Sequence, residues 1–521
     1  YGLEPPSMPL MQPEFSNPLF LRLTCESLKD AGVKRLPEET MSISRVISYF
    51  LNSKNEKLAQ VLNYNRKERF VHKALDLFIS AMQETETRCL PWSKAKELVD
   101  SIWPPLQRSS SLFDHLIMEG LIREDRVVDP STTETQEVIF ISFERLAEYL
   151  LAEKYLAEMS KESLHAAFAP EGTLNFTISD DDALRENRGL LEALSVQIPD
   201  KYGLELSEVV REKSSDPAIT LAVVESLVWR ADGSIGRKTE EIVKMALGNA
   251  KTFASAMETL FALSSRSGNP LNALWCHSHF SSIPMPDRDA ALCPYLHNTY
   301  GQRRGLDRLL RWPLDVDLAA VSHETAELWS TQLCWFCTSS DRRIRDHATK
   351  GIVRIMESHV ANWPQIIKRF CRVDDEYVIE RCLAAAYGSL IRANRNDAIR
   401  EAALTIYEVF FKNGLLPQNA MVRDYARLVL ELAAIRNLLP EHVGFEHFRP
   451  PYKSEWPLHW PEETFVEQYK DSYKELPKLY RSCLHDDFAV YTVPGALEAY
   501  EGLQMPQAQR WKRGLARSIN G

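Results

Sequence analysis

The sequence predicts a mainly α-helical chain of several packed blocks. Three observations carry that expectation. Apolar residues recur at helical spacing over most of the length. Strand-like character is concentrated in one short stretch, 121–142. From about residue 322, one motif returns irregularly: a β-branched residue, an arginine, then a small residue one turn on. It occurs as Ile344-Arg345-x-x-Ala348, Ile399-Arg400-x-x-Ala403 and Val422-Arg423-x-x-Ala426. Such motifs suit HEAT/TPR-like α-solenoids, in which each helix pair buries its face only by stacking on the next.

Composition narrows the class. The 521 residues are 45% hydrophobic and 26% charged, enough for large cores. A net charge of −10, with both signs mixed along the chain, argues against a nucleic-acid-coating protein. Nine scattered cysteines, an odd number without framework spacing, predict reduced thiols and a cytoplasmic location. No apolar run is long enough for a membrane span. The start YGLEPPSMPLMQPEF lacks the basic and apolar regions of a signal peptide and reads as cut from a longer chain.

In order, residues 1–14 predict an extended linker. FSNPLFLRLTCESL (15–28) predicts a helix capped by Ser16 or Asn17, with Pro18 in its first turn. Residues 40–63 and 66–84 predict two more helices, and Trp92–Trp103 another, stopped by Pro104-Pro105. Ser109–Gly120 predicts a helix capped by serine and ended by glycine. Leu121–Val128 and Glu137–Ser142 predict two strands, followed by a long amphipathic helix to Met159. Helices followed by a β-ribbon form the winged-helix pattern. A DNA-reading version needs Arg or Lys on its third helix. Here SLFDHLIMEG has neither and carries Asp114 and Glu119, so a protein-packing role is expected.

The boundaries drawn are 1–64 (linker and helical subdomain), 65–159 (winged helix and exit helix), 160–320 (helical array), 321–436 (HEAT-like repeats) and 437–521. The last is expected to be irregular and rich in Pro and aromatic residues, with LHDDFAVYTV strand-like, leading into a further domain.

Two blocks carry a family resemblance. FSNPLFLRLTCESL resembles the helical subdomain that follows the nucleotide-binding core of NACHT-type STAND NTPases. SLFDHLIMEGLIRED…VIFISFERLAEYLLAEKYL resembles their winged helix and exit helix. The resemblance is nearest to prokaryotic, AVAST-like antiphage members. HFSSIPMPDRDAALCPYLHNTYGQRRGLDRLLRWP is similar to a recurring segment there, in which the pair Arg288-Asp289 precedes a helix and Trp312 ends the next. LCWFCTSSDRRIRDHATKGIV and DDEYVIERCLAAAYGSL are similar to the middle of those proteins.

The resemblance implies a full-length ATPase using ATP and Mg²⁺. Its winged helix would close over nucleotide, with Pro18 near the base. It implies a sensor for a phage protein such as terminase or portal, homo-oligomerisation (often tetramers) on activation, and an upstream effector, commonly a nuclease. Relatives often place a His at the start of the last winged-helix helix; the matching position is Phe143, so that contact is not carried over. No G-x-x-x-x-G-K-[ST] occurs, so the resemblance puts the phosphate-cradling core upstream of Tyr1.

No catalytic constellation stands out. Cys334-x-x-Cys337 lacks a second pair or a redox context and reads as core. Cys276, His279, Cys293 and His297 have tolerable zinc spacing, but packing is the simpler reading. Asp180–Asp182 and Asp374–Glu376 read as helix caps, not as two-metal carboxylates. Gln302-Arg303-Arg304 and Arg342-Arg343 read as solvated faces. Two other classes remain open: a winged-helix transcription regulator with a helical sensor, and a non-enzymatic helical-repeat scaffold.

Overall fold

The computed structural model describes residues 2–4, 10–30, 32–34, 43–128, 135–316, 318, 321–414, 416–452 and 487–492. The chain divides into two units, Tyr1–Tyr452 and Lys453–Gly521. It is mainly helical.

The first unit begins with a short turn, Pro13–Ser16, and helix α1 (Pro18–Asp30). Asn17 Oδ1 accepts the Phe20 amide at 3.4 Å, so Asn17 supplies the cap and Pro18 the first turn. Helices α2 (Ile43–Leu62) and α3 (Phe70–Thr85) follow. On α3, Val71, Ala74, Leu75, Phe78, Ile79 and Met82 are buried, which is the stripe that helical periodicity demands.

Next come β1 (Leu90–Pro91), α4 (Trp92–Ile102), α5 (Leu112–Met118), β2 (Ile122–Val128), β3 (Thr135–Ile141) and α6 (Glu144–Ala157). Ser111 caps α5 by accepting the Asp114 amide, and Gly120, at φ +69°, ends it. The sheet is antiparallel in the order β1-β3-β2, with Leu90 opposite Ile139 and Ile122 opposite Ile141. The order is helix, strand, two helices and two strands. β1 escapes sequence reading because two residues, one a proline, show no alternation.

The array runs through short α7 (Leu164–Ala167) and α8 (Asp181–Glu186) to α9 (Arg188–Tyr202). Then come α10 (Leu206–Val209), α11 (Pro217–Ser226), α12 (Arg237–Leu247), α13 (Phe253–Leu263), α14 (Ala273–Ser281), α15 (Met285–Thr299) and α16 (Gly305–Asp315). It continues as α17 (His323–Phe336), α18 (Arg342–Met356), α19 (Trp363–Phe370), α20 (Glu376–Leu390), α21 (Asn396–Ile406) and α22 (Ala420–Ile435). Trp329, Trp335 and Trp363 are fully buried at its centre. Each fully buried large apolar side chain contributes about 1.5–3 kcal/mol of transfer free energy.

The recurring motif sits as its chemistry requires. Ile344, Ala348, Ile399, Ala403, Val422 and Ala426 are all buried. Its arginines divide. Arg345 and Arg423 each donate to the carbonyl six residues back, Ser339 O at 2.6 Å and Pro417 O at 2.7 Å. Each also lies over a tyrosine, Tyr377 and Tyr452 respectively. Arg400 is exposed. So the arginine chiefly ties down its own preceding loop.

Three expectations change. Arg288-Asp289 lies inside the first turns of α15 instead of before a helix, and Trp312 lies within α16 rather than ending it. Within LHDDFAVYTV, Phe488–Thr492 is a π-helical turn and not strand-like. A short apolar run carries too few residues to separate the two periods. Most of 453–521 lies outside the described residues, as do positions 129–134 of the turn between β2 and β3. No helix among the described residues is long and apolar enough to cross a membrane.

Candidate functional site

A cleft of about 500 Å³ opens where α1 faces α6. Asn17, Phe20 and Thr24 of α1 form one wall. Phe143 and the first two turns of α6, Glu144 to Leu151, form the other. Val46, Ile47 and Phe50 of α2 make the floor, where the Phe50 ring meets Phe143 edge-on at 5.7 Å. Arg88 and Arg123 reach the rim. Pro18 is exposed beside cleft-lining Asn17.

The charges of the cleft are unequally satisfied. Arg145 pairs with Glu192 of α9 at 2.6 Å. Arg88 donates to Asn187 Oδ1 at 3.1 Å, and Arg123 lies over the Phe140 ring at 5.0 Å. Glu148 differs. It is 7% exposed, and its carboxylate lies against Gly189 in the first turn of α9. A Cβ built on Gly189 would fall 1.8 Å from Glu148 Oε1, so glycine is what admits the acid there. Burial, reinforced by neighbouring Glu144, pushes the Glu148 carboxyl up to about 7. The site therefore combines aromatic walls, a basic rim and one buried acid that titrates near neutrality.

The end of the helix expected to read DNA in a regulator is tied to α2. Glu119, just past α5, takes Lys54 and Lys57 of α2, each at 2.8 Å. Burial raises the Glu119 carboxyl, but the two lysines outweigh it and hold it below its ordinary value.

The other candidates resolve as follows. Cys334 and Cys337 are buried within and at the end of α17, free, with thiols pushed up by burial, Cys337 to about 12. Cys276 is buried on α14 and likewise raised to about 12. His279 stacks on Trp275, Cys293 Sγ faces Thr338 O, and His297 Nδ1 meets Asp341 at 3.1 Å. His279, Cys293 and His297 thus have separate partners, and Cys276 is packed in the core. Among the described residues no group of three His, Cys, Asp or Glu side chains could hold a metal ion. Asp180 caps α8 through the Ala183 amide, and Asp375 caps α20 through the Tyr377 and Val378 amides. Asp374 pairs with buried Arg288 at 2.8 Å.

The resemblance placed Pro18 near a nucleotide and set Phe143 aside; Phe143 lines the cleft, whereas Pro18 only adjoins the lining residue Asn17. Sequence reading missed Arg88, Arg145 and Glu148. The polar positions 144, 145 and 148 of FERLAEYLL offer a signal only once Phe143 is placed at the cleft. No family model matches the chain, and no curated protein or solved structure does.

Proposed function

We propose that this chain is the regulatory and target-sensing portion of a STAND-type NTPase acting in antiphage defence. The observation that carries the reading is the cleft itself. It joins the NPLFL helix to the start of the exit helix, the two elements whose sequences resemble the nucleotide-facing parts of that family.

The residues present fit one wall of an ATP site. Pro18 and Asn17 would meet the base, and Phe20 and Phe143 offer apolar faces. ATP, when bound, supplies the anionic group that a basic rim at Arg88 and Arg123 favours. The phosphate cradle and the Mg²⁺ ligands would come from the NTPase core. The array would bind a phage protein such as terminase or portal. Binding that favours the open over the closed arrangement of the cleft would then promote assembly, as a tetramer, and effector activation. The engagement of Glu119 by α2 supports a packing role for α5 over a DNA-reading one.

The test is made on the whole gene product in infected bacteria. Protection is measured as plaque reduction and assembly by mass photometry with ATP and Mg²⁺. The reading expects protection that disappears when 160–436 is deleted, and a terminase or portal recovered on the tagged protein. A gene product without a nucleotide-binding core, or protection that survives the deletion, contradicts it.

A further inference from the structure

Helix α1 touches more than the cleft. Its leading turn and first residues also meet the array, about 200 to 300 positions along the chain. Phe15 and Phe20 pack edge-on at 5.4 Å, and both rings approach Trp229, at 6.3 and 6.2 Å. Arg308 of α16 donates to Met11 O at 3.3 Å and also bonds Ser16 Oγ. Met11, Gln12 and Phe15 are buried as a result. Phe20 therefore faces the array and lines the cleft at once.

The base of this contact is rigid. Trp229 is 2% exposed, and the next residue, Arg230, is fully buried and held bidentately by Glu205 at 2.9 and 2.8 Å. The opposite wall is held by the same array. Arg145 pairs with Glu192, Gln197 donates to Tyr149 O at 2.8 Å, and Tyr202 donates to Leu156 O at 2.9 Å. One array thus braces both walls, α6 through several bonds to α9 and α1 through two rings and a guanidinium.

We infer that Trp229 and Arg308 form a clamp by which the helical array holds α1, and that releasing this clamp frees one wall of the cleft while α6 stays in place. The clamp is a conformational link from the array to the cleft. It rests on contacts within this chain and holds whatever occupies the cleft.

Hydrogen exchange on the full chain tests it. Arg308 is half-buried at the surface of α16, so Arg308→Ala leaves the array core intact. Peptides covering 10–30 should exchange about ten-fold faster in Arg308→Ala, and by an intermediate factor in Arg308→Lys, because the opening free energy of that segment falls. Phe15→Ala should act in the same direction. Peptides from α6 and α9 should keep their wild-type rates. Unchanged exchange of 10–30 in both Arg308→Ala and Phe15→Ala would overturn the clamp. So would acceleration spread equally over α6, α9 and α16, which reports general loosening.

Discussion

The two walls of the cleft are built alike and anchored differently. Both are helices, α1 packed on α2 and α6 on α3 and α9. Helix α6 is tied to α9 along its length, by Arg145–Glu192, Gln197–Tyr149 O and Tyr202–Leu156 O, and to α2 by the Tyr149 hydroxyl on Ser44 at 2.7 Å. Helix α1 meets the array at its leading end, through Phe15, Phe20 and Arg308. Helix α1 also packs on α2, with Thr24 and Leu28 buried, so the difference lies in the hold of the array, which runs along α6 and reaches α1 at its leading end. The same contrast explains where a buried acid is tolerated. Glu148 sits in the firmly held wall, where α9 presents a glycine against its carboxyl.

The largest effect should come from the base of the clamp. Glu205→Ala leaves fully buried Arg230 without its carboxylate and should cost about 3–5 kcal/mol. Chemical denaturation reads this as a lower midpoint at unchanged slope. A loss below about 1 kcal/mol would mean that the pair contributes little rigidity to the Trp229 side.

Next is the acid of the fixed wall. Its folded value, about 7, lies above the ordinary 4.5 of a glutamate. A raised folded value means that the protonated form is favoured in the fold. Its stabilising contribution is complete below about 4.5 and is lost as pH rises through about 7. Glu148→Gln should flatten this part of the stability profile. It should exceed wild type at pH ~8 by up to about 3 kcal/mol, with little difference at pH ~5. Parallel profiles for the two proteins would show that Glu148 does not titrate in this window.

Gly189→Ala probes the same junction from the α9 side. With a Cβ 1.8 Å from Glu148 Oε1, the carboxylate must swing aside toward the cleft it lines, at a cost of about 1 kcal/mol because it is the end of a flexible side chain. Thermal melting checks it, and pairing with Glu148→Ala should recover most of the loss. Smallest is Asn17→Ala, which removes the cap of α1 and should cost below about 1 kcal/mol. Its effect should be confined to exchange in α1. An equal effect in α6 would erase the asymmetry between the walls.

The sequence made the helices legible where apolar residues keep a helical period, as on α3 and α18, and where caps are explicit, as at Ser111, Asp180 and Asp375. The ribbon was legible from its alternation. β1 was not, because two residues have no period. The family resemblance, not local pattern, drew attention to Pro18 and to the departure at Phe143; Phe143 lines the cleft and Pro18 adjoins cleft-lining Asn17. Glu148 stayed hidden because an acid on an amphipathic helix reads as solvated until Gly189 is known to lie against it. The contacts that Trp229 and Arg308 each make with the leading end of α1 stayed hidden for a stronger reason. They join residues far apart in the chain, and no local pattern encodes them.

The unequal anchoring of the walls is tested most directly by peptide-resolved hydrogen exchange of the unmodified chain, comparing α1 (Pro18–Asp30) with α6 (Glu144–Ala157). α1 amides should exchange through a low-energy local opening while α6 amides stay protected together with α9. Protection in α1 equal to or greater than that in α6 would contradict the unequal anchoring.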